Sequence, residues 1–174
     1  MKKRFQIGVV GSSALETAGT SLITKPVMEI AYQVGQEIAK AGHILVCGGR
    51  DGVMEAVCRG AKEAGGLTVG ILPSKDGSDA NAYVDVRIQT GMGWLRNGFN
   101  AYCSDGMIVI AGSVGTLSEA CYMYMEKRPL VAIRTTGGVA AQIAGTYLDD
   151  RKFVKCIGVD TAQEAVQQIL SKLS

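Results

Sequence analysis

Short apolar runs alternate with amphipathic helical segments along the whole chain, and this alternation restricts the fold more than any other feature. Runs that predict strands occupy residues 5–10, 43–47, 67–72, 84–88, 107–110 and 130–133, with a weaker candidate at 153–159. Several runs are continuously apolar, which is typical of strands buried on both faces of a parallel sheet. The pattern predicts a three-layer α/β fold, in which helices cover both faces of a mostly parallel, doubly wound sheet of about six or seven strands.

Helical periodicity fills the intervals between these runs. Helices are predicted at residues 25–41, 53–64, 94–103, 137–147 and 161–173, and another begins at Thr116. No repeat and no long linker divides the 174 residues. We therefore expect residues 1–174 to form a single domain.

The composition excludes several classes of function. Hydrophobic residues make up 47% of the chain, and its net charge is only +2 with no block of like charges, which argues against nucleic-acid binding. No apolar run is long enough to span a membrane, and no signal peptide is recognisable. The five cysteines lack metal-ligand spacing, so we expect buried thiols in a reducing cytoplasm and no metal. A single histidine, His43, argues against a catalytic triad.

Glycine turns follow the predicted strands at Gly11, Gly48–Gly49, Gly91 and Gly112. Because crossovers in such sheets are right-handed, all of these turns lie along one rim, where open α/β sheets bind ligands. The turns together favour a nucleotide or another phosphorylated small molecule. The chain lacks both the P-loop motif and G-x-G-x-x-G, so an NTPase and a dinucleotide-dependent redox enzyme are disfavoured.

Two ionisable side chains near predicted helix starts are the candidates for chemistry. Arg96 is suited to bind a phosphate or ribose hydroxyl, although a solvated arginine or a surface ion pair explains it as well. Glu119 is suited to stabilise a cationic sugar or to activate water. The spacing of Thr116 and Glu119 also matches a T-x-x-E capping box, and the same spacing recurs at Thr161 and Glu164.

Residues 48–57 (GGRDGVMEAV) and 112–119 (GSVGTLSE) resemble the two signatures of the LOG-like family, long labelled "lysine decarboxylase-like". Arg96-Asn97 resembles the arginine motif of that family. The resemblance extends from the first predicted strand to the sixth. It is strongest to a short, uncharacterised prokaryotic branch, which is related to molybdenum-cofactor carrier proteins and to cytokinin-activating phosphoribohydrolases.

The resemblance implies a Rossmann-like fold, a homodimer or higher homo-oligomer, and hydrolysis of a nucleoside 5′-monophosphate to free base and ribose 5-phosphate. It assigns catalysis to Arg96 and Glu119 and requires no cofactor. A pyridoxal-dependent lysine decarboxylase is not expected, because no lysine lies in these motifs. The implied phosphate turn comprises Gly112, Ser113, Gly115 and Thr116. Further ligand contacts are expected at Gly11, Ser12, Gly48, Gly49, Arg50, Gly52, Met54 and Asn97.

Three departures from the family pattern bear on the substrate. The usual P-G-G-x-G-T-x-x-E begins here with Ala111-Gly112-Ser113, Arg50 replaces a glycine, and Asn97 replaces a lysine. Arg50 and its neighbour Asp51 are explained equally well by a helix cap and a surface charge. These changes keep open an alternative function, in which the protein binds or carries a nucleotide or the molybdenum cofactor without turnover.

Overall fold

The computed structural model describes residues 3–15 and 22–173. Seven strands among these residues form one sheet in the order β4-β3-β2-β1-β5-β6-β7, and each neighbouring pair is parallel. The strands are β1 (Gln6–Gly11), β2 (Ile44–Cys47), β3 (Leu67–Leu72), β4 (Val86–Gln89), β5 (Gly106–Ile110), β6 (Leu130–Ile133) and β7 (Ile157–Val159). The predicted fold class is confirmed.

Helices connect the strands on both faces of the sheet. They are α1 (Lys25–Lys40), α2 (Val53–Glu63), α3 (Arg96–Tyr102), α4 (Val114–Met125), α5 (Gly138–Ile143) and α6 (Ala162–Leu173), and a short 3-10 turn (Gly93–Leu95) precedes α3. None of the helices in the described ranges is long and apolar enough to cross a membrane.

The side chains of β5 show how the apolar runs are used. Ile108 and Ile110 pack into the core beneath α1, α2 and α6, whereas Met107 and Val109 pack with residues of α3, α4 and α5. Consecutive residues of a strand point to opposite faces of the sheet. A strand covered by helices on both sides must therefore be apolar at every position, as this run is.

The boundaries of β4 and β7 differ from the prediction because a side chain or a loop forms the backbone hydrogen bonds that a longer strand would need. β4 begins at Val86, since the Asp85 carboxylate accepts the Thr68 N–H that a longer ladder would need. β7 is confined to Ile157–Val159, because Cys156 exchanges backbone hydrogen bonds with the loop after α5. Neither difference alters the order of the strands.

The chain reverses direction across the sheet between β1 and β5. It runs outward from β1 to β4, returns to the centre, and then continues through β5 to β7 on the other side. Gly11 at the end of β1 lies in register with Ile110 at the end of β5. The helices that follow the two strands lie on opposite faces, which opens a crevice at their carboxyl ends. We call it the switch-point crevice.

Candidate functional site

The switch-point crevice contains a small polar cavity of about 30 Å³, which we call the inner cavity. Arg96 and Glu119 both line it. Seven more of the predicted site residues also line it: Gly11, Gly48, Met54, Asn97, Ser113, Gly115 and Thr116. The sheet topology thus brings together residues from four segments that are far apart in the sequence.

Arg96 and Glu119 form a buried ion pair across this cavity. Arg96 Nη1 lies 3.7 Å from Glu119 Oε1, and the two residues are only 5% and 6% exposed. The distance is too long for a direct hydrogen bond. Arg96 Nη1 has no hydrogen-bond partner within the described residues. A buried charged donor in this state is rare in proteins and indicates that the site is built for a further polar group.

Asn100 holds the glutamate from the adjacent turn of α3. Its Nδ2–H donates to Glu119 Oε1 at 2.5 Å, and the Asn100 side chain is itself buried. The Asn100 backbone carbonyl accepts a hydrogen bond from the Ser104 hydroxyl at 2.6 Å. The carboxylate is therefore positioned by an amide and a guanidinium that both belong to α3.

The capping role considered for Glu119 is wrong. α4 begins at Val114 with Ser113 as its N-cap, so Glu119 lies in the second turn, beyond the position from which a capping box closes. The similar sequence before α6 does form the box: Thr161 Oγ1 accepts the Glu164 N–H, and Glu164 Oε2 accepts the Thr161 N–H. The same four-residue spacing therefore caps one helix and supplies a buried acid to the other.

The conformation of Ser113 explains why serine can replace the second glycine of the family's P-G-G motif. Its φ of −125° is an ordinary extended value, so no glycine is required there. The Ser113 side chain makes no capping hydrogen bond, and it lines the inner cavity. Ser113 and the first turn of α4 thus border the inner cavity, and the start of a helix favours an anion.

Gly48 and Asn97 set the walls around the ion pair. A Cβ on Gly48 would lie 2.3 Å from Arg96 Nη1, so only glycine lets the guanidinium rest against the end of β2. Asn97 donates from Nδ2 to the Ser118 hydroxyl at 3.1 Å and to the Gly115 carbonyl at 3.4 Å. Asn97 therefore joins α3 to α4 at the wall of the cavity.

The other predicted site residues lie around the inner cavity rather than on its wall. Ser12 Oγ accepts the Gly112 N–H at 2.9 Å and thereby ties the turn after β1 to the turn after β5. Gly52 packs against the Ser12 carbonyl, and Gly49 packs against β3. Arg50 faces Asp79, with Nε and Oδ2 3.9 Å apart, and lines a neighbouring cavity together with Trp94 and Arg96. Most of these residues shape the turns that carry the site.

Trp94 and Asn100 line or support the site but were not predicted. Trp94 is 65% exposed and borders both the inner cavity and a wider groove of about 630 Å³. This outer groove has apolar walls formed by Trp94, Leu95, Val114 and Tyr122. Asn100 lies four residues after Arg96, a spacing that puts two side chains on one helix face and would have identified it. Together these features form a polar cavity that opens into an apolar groove.

Metal chemistry has no donor set in the part of the chain that the structure describes. No three His, Cys, Asp or Glu side chains come together there in a way that would hold an ion.

Comparisons with known proteins show which family and which relatives this chain resembles. A model of the SLOG cluster4 family matches residues 4–166. An uncharacterized protein of Archaeoglobus fulgidus is 39% identical over 132 residues, which cover 76% of this chain and 82% of that protein. A cytokinin riboside 5′-monophosphate phosphoribohydrolase of Mycobacterium tuberculosis is 31% identical over 158 residues, covering 80% of this chain and 83% of the enzyme.

This chain is also similar to a protein of known structure. The molybdenum cofactor binding protein of Rippkaea orientalis superposes with a TM-score of 0.85 at 30% identity and covers 100% of both chains. Relatives of this chain thus include a phosphoribohydrolase and a molybdenum cofactor binding protein, which confirms the resemblance that the motifs carry.

Proposed function

The chain belongs to the SLOG cluster4 family, and we propose that it binds a nucleoside 5′-monophosphate in the switch-point crevice and hydrolyses the N-glycosidic bond. The products are free base and ribose 5-phosphate. The observation that carries this proposal is the buried Arg96–Glu119 pair, in which Arg96 Nη1 has no hydrogen-bond partner among the described residues. Such a pair is costly to bury unless a ligand completes its hydrogen bonds.

The start of α4 is suited to the phosphate. The first N–H groups of a helix have no intrahelical partner, and the helix dipole favours negative charge near them. The Ser113 hydroxyl adds a donor, and Arg96 supplies the positive charge. A phosphate bound here would give Arg96 Nη1 a hydrogen-bond acceptor.

The size of the inner cavity fits a water molecule better than a sugar ring. Its volume is about 30 Å³, whereas one water needs about 10–15 Å³ of such space. In the proposed reaction the water attacks C1′, the C1′–N bond breaks with its electron pair going to the base, and the base takes up a proton from solvent, to which Glu119 later returns the proton that it accepts. Glu119 accepts the proton of the attacking water and stabilises the positive charge that develops on the sugar. Asn100 keeps the carboxylate in place.

The outer groove is suited to the planar ring of the ligand. Trp94 stands between the polar cavity and the apolar walls of Leu95, Val114 and Tyr122. A flat heterocycle that lies on the indole would leave its glycosidic bond near Glu119. Stacking of a base on an aromatic side chain contributes about 1–3 kcal/mol.

Trp94 is the only tryptophan of the chain, so its fluorescence reports ligand binding directly. We expect AMP and other nucleoside 5′-monophosphates to change the emission of Trp94 in a saturable way, and the corresponding nucleosides to bind at least tenfold more weakly because they lack the phosphate. The measurement is a fluorescence titration, with Trp94→Phe followed by isothermal calorimetry as the control for ring stacking. Equal affinities for nucleotide and nucleoside would contradict a phosphate site at α4.

A second candidate function is binding or carriage of the molybdenum cofactor without turnover. It is favoured by the match over the full length of both chains to the Rippkaea orientalis protein, and by a groove of about 630 Å³ that exceeds the needs of a single base. The two functions differ in a simple readout. A carrier retains its ligand unchanged through gel filtration, whereas the enzyme releases free base.

We also propose that the protein is a homodimer joined through the outer face of α3 and α4. Phe99, Tyr102, Val114 and Met125 leave large apolar side chains exposed on these two helices, whereas Met123 is part of the core. Large apolar side chains exposed together on neighbouring helices are typical of interaction surfaces. The face adjoins the outer groove, so a partner there would border the ligand.

The dimer is tested by light scattering during gel filtration. We expect the mass of a dimer for the native chain and of a monomer for Met125→Glu, because a buried carboxylate at the interface lacks a partner. Val86→Glu on the edge strand β4 is the matched control and should stay dimeric. Dissociation of the Val86 variant instead would assign the interface to the sheet edge and overturn this part of the proposal.

A further inference from the structure

Cys47 and Cys58 form a pair of thiols directly beneath the switch-point crevice. Cys47 ends β2, Cys58 lies in the second turn of α2, and their Sγ atoms are 3.4 Å apart. Both residues are fully buried, and neither is in a disulfide. Because the two sulfur atoms face each other in the core, each thiol is the nearest reaction partner of the other.

The surroundings shift the pKa values of the two thiols in opposite directions. The hydrogen-bonding contact with Cys58 lowers the pKa of Cys47; burial and the charge of Glu119 work against this, and the Gly49 N–H and the charge of Arg96 lower it further. The Gly49 N–H lies 3.3 Å from the Cys47 sulfur. The same thiol contact and burial raise the pKa of Cys58 well above its ordinary value. Of the two, Cys47 is the thiol that forms its thiolate more readily.

The turn after Cys47 connects this pair to the ligand site. A Cβ on Gly48 would lie 2.3 Å from Arg96 Nη1 and 2.6 Å from Met54 Sδ, so the backbone here is in close contact with the guanidinium. Gly48 and Met54 also line the inner cavity. A small oxidant that enters the cavity thus comes within one residue of Cys47, and the turn after Cys47 is in contact with Arg96.

We propose that Cys47 and Cys58 form a reversible disulfide that weakens ligand binding in the switch-point crevice. The oxidant is hydrogen peroxide. The Cys47 thiolate attacks one peroxide oxygen, the O–O bond breaks, and the released hydroxide takes up a proton to give water. The resulting Cys47 sulfenic acid is attacked by the Cys58 sulfur, the S–O bond breaks, and hydroxide leaves with the Cys58 proton as a second water. The two thiols are oxidised, and the peroxide is reduced.

The proposed disulfide changes the packing directly under the turn after Cys47. A disulfide bond is about 2.05 Å long, so the sulfur atoms must approach by more than an ångström. β2 is held between β1 and β3, which leaves the glycine-rich turn and the first turns of α2 to shift. Arg96 rests on that turn, and its contacts with the ligand change as the turn moves.

The disulfide itself is tested by mass spectrometry of the full-length protein. After treatment with hydrogen peroxide and blocking of remaining thiols, we expect a peptide that links Cys47 to Cys58, and its loss after reduction. Cys58→Ser should instead trap Cys47 as a sulfenic acid that reacts with dimedone, and Cys121→Ser should keep the link. Recovery of Cys47 and Cys58 as free thiols from oxidised native protein would overturn the proposal.

The effect of the disulfide on ligand binding is measured by the Trp94 titration with AMP. This second part of the proposal rests on the proposed function. We expect the dissociation constant to rise at least fivefold in the linked protein and to return after reduction, whereas Cys58→Ala binds AMP equally before and after peroxide. Linked protein that binds AMP as tightly as reduced protein would overturn the switch. Failure of the reduced protein to bind any nucleotide contradicts the proposed function instead, and the linked peptide then decides the disulfide by itself.

Discussion

Glu119→Gln is expected to lower the rate of base release from a nucleoside 5′-monophosphate by about 10²–10⁴-fold, the usual contribution of general acid–base catalysis. The amide keeps the shape of the side chain and still accepts the hydrogen bond from Asn100. It cannot take a proton from water or stabilise a cationic sugar. Nucleotide affinity should stay within a few-fold of the native value, because Arg96 and the start of α4 remain. Chromatography of released base gives the rate, and the Trp94 titration gives the affinity.

Glu164→Gln is the matched control for this substitution. Glu164 occupies the same T-x-x-E spacing, but its carboxylate caps α6 at the backbone of Asp160 and Thr161. We expect native activity and at most a small loss of stability, because glutamine also serves in capping boxes. A loss of activity that is equal in the two variants would show that the effect of Glu119 is structural.

Arg96→Ala is expected to lower the free energy of unfolding by about 3–5 kcal/mol, because it leaves the Glu119 carboxylate buried without its charged partner. The same variant should lose nucleotide binding. The measurement is urea denaturation followed by far-ultraviolet circular dichroism, which does not depend on activity. Stability equal to that of the native protein would contradict the buried ion pair.

A double variant separates stability from function at the same position. Arg96→Met combined with Glu119→Leu removes both charges and fills the space with apolar side chains, a replacement that is often neutral or stabilising for buried pairs. We expect it to recover most of the stability lost in Arg96→Ala and to bind no nucleotide. Recovery of binding together with stability would exclude Arg96 as a ligand contact.

The order of the elements was predictable from the sequence because each element is read from local periodicity. Strands such as Met107–Ile110 are apolar at every position, which identifies burial on both faces. Parallel pairing then brings all strand ends to one rim, so the gathering of Gly11, Gly48 and Ser113 around one cavity followed from topology alone.

The start of α4 was not predictable, because two residues of the capping type compete for it. Ser113 and Thr116 are both good N-caps, and spacing alone favoured Thr116. The turn is instead held by distant side chains: the Gly112 N–H donates to Ser12 Oγ, and the Ala111 N–H donates to Thr136 Oγ1 at 2.7 Å. These contacts bridge long intervals of sequence and shift the helix start to Val114.

The contact between α3 and α4 could likewise not be predicted from local sequence patterns. Nothing in the spacing of Arg96 and Glu119 shows that they approach within 3.7 Å, and the role of Asn100 depends on that approach. The family resemblance assigned catalysis to both residues but gave no distance or orientation between them. The structure adds that both are buried and that one amide positions the carboxylate.

The most direct test of the proposed function is to incubate the native protein with a panel of nucleoside 5′-monophosphates and to quantify free base and ribose 5-phosphate. The proposed mechanism predicts equal molar amounts of both products from at least one nucleotide, and no product from the matching nucleoside, which lacks the phosphate. Retention of every nucleotide without release of base, together with tight binding of a pterin ligand, would contradict hydrolysis and favour the carrier function.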